Sequence, residues 1–170
     1  MRSSQLLRYG FLFFAGCCSQ ITSDCAAMTA SATVGLPGRR VVRTTAFTHS
    51  HRAAAKNAKG SQLHSGDLNS AAADWSRFPL GTKFKIVRTN KIYVVDDYGP
   101  ALVGTNKIDL YMASRREMSS WGVRNVAIDI IEPGSYDRSL ALLRSRRSVP
   151  YVRRMLRALE EKVQGRRGDA

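Results

Sequence analysis

The sequence predicts a mainly β fold: a small closed or half-closed barrel with one short helix, followed by a basic helical extension. Three observations carry this expectation. Short runs rich in β-branched and aromatic residues recur between turns that contain Gly or Pro. One brief stretch, Ser114 to Trp121, opens with a capping-box pattern, Ser114 with Glu117 three residues on, and stops at Gly122. Beyond residue 135 the periodicity changes from that of strands to that of helices.

In order, Val41 to Thr48 alternates roughly and is rich in β-branched residues, so it reads as the first strand. Residues 49 to 70 are polar, contain Gly60 and Gly66, and are expected to be loop. Ala71 to Asp74 is a short strand, and Phe78-Pro79-Leu80-Gly81-Thr82 is a turn. Strands follow at Lys83 to Arg88, Ile92 to Asp96, Lys107 to Tyr111 and Val126 to Ile131. In the tail, Leu140 and Leu143, then Val152, Met155, Leu156, Leu159 and Val163, mark two helices over Ser139 to Arg147 and Tyr151 to Gln164. Pro150 separates them or starts the second. The expected domain runs from 41 to 134, and the tail from 135 to 170 either caps the barrel or meets anionic lipid or an acidic partner.

The N-terminus reads as an export signal. Arg2 and Arg8 precede the short apolar run from Tyr9 to Gly16, which is too brief to span a bilayer. The run ends in Ala15-Gly16-Cys17, the pattern of a bacterial lipoprotein signal, which makes Cys17 the lipidation site and residues 1 to 17 the signal. The competing reading is plain secretion with cleavage after Ala32. Residues 18 to 40, rich in Ser, Thr, Ala and Gly, form a flexible linker. All three cysteines lie in this N-terminal part, so the domain holds neither a disulfide framework nor a Cys-based zinc site.

The net charge is +14. From 41 to 134, 13 Lys/Arg oppose eight Asp/Glu, and from 135 onward ten oppose four. Such a balance favours an anionic partner or simply a solvated basic face. Nucleic acid is excluded as a partner, because no reader motif or stacking array is present and the export signal opposes it.

Three aspartates at junctions between apolar runs and turns are the candidate catalytic groups: Asp74, Asp97 and Asp109. Acids so placed suggest general acid/base chemistry on a polar polymer. Asp74 and Asp97 also suit plain turn residues, whereas Asp109 alternates within a strand between Ile108 and Leu110. His49 and His51 stand two apart, as exposed polar residues or as a metal pair, and His64 reads as surface. Trp75 and Trp121 suit either sugar stacking or, for Trp121 above all, the core. Tyr98 and Tyr111 are better placed to line a groove.

Five motifs in order resemble the three-aspartate, or 3D, domain found in the membrane-bound lytic transglycosylase A family. They are Ala-Ala-Asp74-Trp, Pro79-Leu80-Gly81-Thr82, Asp97-Tyr98-Gly99-Pro100-Ala101-Leu102-Val103-Gly104, Lys107-Ile108-Asp109-Leu110 and Trp121-Gly122-Val123-Arg124. Tyr98, Pro100 and Val103 depart from the usual Thr, Gly and Lys, and Thr105 lengthens the loop by one residue.

The resemblance implies a six-stranded double-psi β-barrel with the aspartates gathered in a groove. It implies lytic cleavage of peptidoglycan glycan strands between N-acetylmuramic acid and N-acetylglucosamine, with Asp109 as single acid/base and Asp97 and Asp74 in support. Tyr98, Gly99, Ala101, Gly104, Lys107 and Tyr111 would contact substrate, with no metal or cofactor. The partners expected are glycan strands and, through a lipid anchor, a membrane of the cell envelope. The alternative on the same barrel is a non-catalytic wall-binding lipoprotein.

Overall fold

The computed structural model describes residues 38–49 and 56–168. The signal, Cys17, His51 and all but the last residues of the expected linker lie outside them. Six strands form the barrel: β1 (Arg39–Phe47), β2 (Leu68–Ala73), β3 (Lys83–Ile86), β4 (Ile92–Asp97), β5 (Lys107–Tyr111) and β6 (Arg124–Glu132). They close in the order β1-β5-β2-β4-β3-β6. The β1/β5 and β2/β4 pairs are parallel and the other four antiparallel, the mixed pairing of a double-psi barrel. Closure leaves no strand edge unpaired.

Alternation explains which side chains fill the barrel. Ile108 and Leu110 on β5, Phe84 and Ile86 on β3, and Ile128 on β6 are fully buried. Their strand neighbours Lys107, Asp109, Lys85 and Asp129 face outward and are at least partly exposed. The short helix α1 (Arg115–Trp121) has the expected capping box between Ser114 and Glu117. It ends at Gly122, whose φ of 61° favours glycine. Trp121 at its end is half-buried; its Nε1–H donates to Thr44 Oγ1 and its ring carries the Arg124 guanidinium.

Most element ends shift by one to four residues, and the starts of two strands differ for reasons the contacts show. The first strand begins at Arg39, inside the expected linker, because Arg39 pairs with Asp129 on β6 and forks onto its carboxylate. The second begins at Leu68 rather than Ala71. Its polar residues are buried because each has a partner. Asn69 donates to Gly66 O and Ile92 O, and Ser70 donates to Asp96 Oδ2.

The tail caps the barrel with helices α2 (Tyr136–Ser145) and α3 (Pro150–Gly168), the second starting at Pro150. Leu140, Leu143, Val152, Met155, Leu156 and Leu159 are buried in one core with Trp75, Phe78 and Leu80. Polar contacts fix the docking. Ser135 N–H donates to Leu80 O, Leu80 N–H to Ser139 Oγ, Trp75 N–H to Met155 Sδ, and Lys162 Nζ to Ser76 O. Gly134 at the junction admits no side chain, since a Cβ there would meet Pro79 O at 2.2 Å. No described helix is long and apolar enough to cross a membrane.

Candidate active site

The strand register sets four residues in one row across the barrel wall. Thr45 on β1 pairs with Asp109 on β5, Asp109 with Ala72 on β2, and Ala72 with Asp97 on β4. Directly paired residues share a face. Asp97 and Asp109 therefore flank the Ala72 methyl, with their backbones two strand spacings, about 10 Å, apart. Both aspartates are half-buried. Lys107 and Tyr111 lie two residues either side of Asp109 and share its face.

Each carboxyl has a distinct setting. Thr45 Oγ1 donates to Asp109 Oδ1 at 2.8 Å. Burial raises the Asp109 pKa, while the Thr45 hydrogen bond and the Lys107 charge pull it down. Asp97 Oδ1 accepts from the Tyr98 N–H at 2.9 Å, and the Ala58 backbone also favours the charged form of this carboxylate. Burial nevertheless pushes Asp97 up to about 6, the Asp96 charge adding to it and Arg146 opposing it.

Asp96 is the extra residue of a bulge, for the β2–β4 register steps from Ala71–Val95 to Ala72–Asp97. Its side chain therefore turns inward, where Oδ2 accepts from Asn57 Nδ2 and Ser70 Oγ while Oδ1 is buried without a partner. Asn57 also caps its own turn by accepting from the Lys59 and Ser61 N–H groups. Asp96 thus ties the 56–62 segment, with Ala58, beside Asp97. The negative neighbour of Asp97 is Asp96, rather than the cluster of Asp74, Asp97 and Asp109 that the sequence suggests.

Asp74 does not join the row. It is 1% exposed, and its Oδ1 accepts from the N–H and Oγ of Ser76 while Oδ2 accepts from the Gly104 N–H at 2.6 Å. A carboxylate so enclosed by donors is a tether that holds the 98–106 loop to the end of β2. Tyr98 is likewise engaged elsewhere. Its ring packs edge-on to Trp75, it meets Tyr151, and its hydroxyl accepts from Arg146. It anchors the helical cap instead of lining a groove. Trp75 is fully buried and donates to Asp97 O, which rules out sugar stacking.

The remaining candidates lie on the 98–106 loop and on β5 beside Asp109. Ala101 and Gly104 are exposed on the loop and Gly99 is half-buried. Tyr111 is mostly buried, packs on Phe47 and shares a 2.6 Å hydrogen bond with His49 Nδ1. His64 is exposed, as expected. No group of three metal-ligating side chains occurs among the described residues.

Residues 69–132 match the family model described as the 3D domain. The matched stretch begins within β2 and ends with β6, so β1 and both tail helices lie outside it. Among solved structures, the chain resembles the crystal structure of MltA from E. coli at 22% identity, with a TM-score of 0.37. The likeness covers 50% of this chain and 29% of that one, under a third of its length. No curated protein matches the chain.

The raised pKa of Asp97 gives a stability prediction. Unfolded, Asp97 loses its proton near the ordinary carboxyl value of 3.8; folded, it holds it to about 6. Between these values the folded state binds the extra proton, so this group makes stability fall as pH rises. Thermal melts from pH 4 to 7 should show a downward contribution to Tm that Asp97→Asn removes. An unchanged slope in that variant would contradict the assignment.

Proposed function

We propose that the protein is an exported peptidoglycan lytic transglycosylase with Asp109 as its acid/base. The observation that carries this reading is the row Asp97–Ala72–Asp109–Thr45, two half-buried carboxyls flanking a small residue on the face of a 3D domain. In the reaction, protonated Asp109 gives its proton to the glycosidic oxygen as the C1–O bond breaks. The resulting carboxylate takes the proton from the 6-hydroxyl of the muramic acid residue. O6 then closes on C1, forming the 1,6-anhydro ring without consuming water. One acid serves both steps if it is protonated before the first, and burial of Asp109 favours that state.

Thr45 holds the Asp109 carboxyl in place, and Asp97 is the second carboxyl on the same face, its pKa raised by burial to about 6. Lys107 and Tyr111 flank Asp109 and contact the glycan. Gly99, Ala101 and Gly104 present loop backbone to it, and Asp74 fixes that loop. Cys17 anchors the protein by lipid in the cell envelope. The test is digestion of purified peptidoglycan with detection of 1,6-anhydromuropeptides.

A further inference from the structure

The barrel and its helical cap form an open cleft lined by three exposed arginines: Arg40 from β1, Arg77 from the turn after β2, and Arg166 from the end of α3. We propose that this cleft is an oxyanion site that takes the phosphate or carboxylate group of an anionic ligand. The inference goes beyond the glycan-cleaving reading and does not depend on it.

Charge is the first argument. No acidic side chain lines the cleft. The salt bridges among the described residues use Arg39, Lys83 and Arg144, none of which lines it. Arg77 donates to the neutral Asn106 Oδ1 and Gly104 O, and Arg166 stacks on the Tyr136 ring at 4.7 Å. Arg77 and Arg166 are thus held by uncharged partners, and none of the three arginines takes part in a salt bridge among the described residues. The Arg40 and Arg166 guanidiniums are planar forks suited to two oxygens of one anion, while Arg77, whose Nη groups donate to the 98–106 loop, adds charge.

Size and setting are the second. The space open to the centres of water-sized spheres is about 50 Å³. One water needs about 10–15 Å³ on that measure, so the cleft has room for a single phosphate or carboxylate group. Phe78, Pro79 and Ile130 form apolar wall, which strengthens charge interactions by keeping water to one side. Pro133, Gly134 and Tyr136 bring the N-terminal end of the ten-residue helix α2 to the same cleft, though Asp137 in its first turn offsets part of the positive helix end.

The test is an NMR titration of the 170-residue chain with inorganic phosphate, and separately with acetate, at constant ionic strength. The signals followed are the Arg Nε–H groups. Saturable shifts at Arg40 and Arg166 are expected. The double variant Arg40→Gln/Arg166→Gln should weaken binding about ten-fold or more. The control Arg153→Gln/Arg157→Gln removes the same charge from exposed positions of α3 and should change it less than about two-fold. Tighter binding of phosphate would assign a phosphoester ligand, and tighter binding of acetate a carboxylate. Absence of saturation, or equal losses in the two double variants with both still folded, would overturn the site and leave only diffuse attraction to a basic surface.

Discussion

Replacing Asp109 by Asn should abolish release of 1,6-anhydromuropeptides, with a loss of about 10²–10⁴-fold, the range a positioned acid/base contributes. The amide keeps the shape of the side chain and can still meet Thr45, yet it can neither give nor take the proton. Stability should change little or rise, because a half-buried ionisable group is replaced by a neutral one. Asp97→Asn should cost less activity, since in this account Asp97 does not move the proton. Asp74→Asn should act differently again: it weakens the clasp on Gly104 and should lower Tm as well as activity. Full lytic activity in Asp109→Asn would remove that residue from the mechanism.

Deletion of residues 135–170 should leave a chain that does not fold, though the match to the 3D domain model ends at residue 132. The tail buries Leu140, Leu143, Val152, Met155, Leu156 and Leu159, each largely or wholly out of water. At about 1.5–3 kcal/mol for each such side chain, the loss is of the order of 10 kcal/mol. That is as large as the about 5–15 kcal/mol by which a whole domain is stable. The deletion would also uncover Trp75, Phe78 and Leu80, a large apolar patch prone to association. Circular dichroism and solubility check this directly. A milder probe is Leu159→Ala, expected to cost about 2–5 kcal/mol in denaturant melts. A cooperative melt and a soluble barrel after the deletion would contradict this view of the cap as part of the core.

The barrel was legible because its strands obey simple alternation. Phe84 and Ile86, or Ile108 and Leu110, sit two apart with polar residues between them, and that period has one structural meaning. The capping box at Ser114 and Glu117 was equally local, and it formed as expected. The start of β2 was hidden because Asn69 and Ser70 are polar; their burial depends on acceptors at Ile92 and Asp96, more than twenty residues away.

The site divides along the same line. Asp97 and Asp109 stand out in sequence, but their shared row rests on strand register, and only Thr45, a residue no motif marks, shows which oxygen is held. Asp74 and Tyr98 resembled site residues because the family motifs include their positions. The fold gives Asp74 three donors and gives Tyr98 a place under the helical cap. Asp96 carried no signal beyond adjacency to Asp97, since a bulge cannot be read from one chain.

Incubating the protein with purified peptidoglycan and analysing the soluble products by mass spectrometry decides whether Asp109 drives lytic cleavage. The account predicts muropeptides ending in a 1,6-anhydro ring, absent when Asp109→Asn replaces the native chain. Products with an ordinary reducing end would mean that water, not the muramic acid 6-hydroxyl, attacks. Intact glycan with protein bound to it would contradict catalysis and mark the barrel as a wall-binding module.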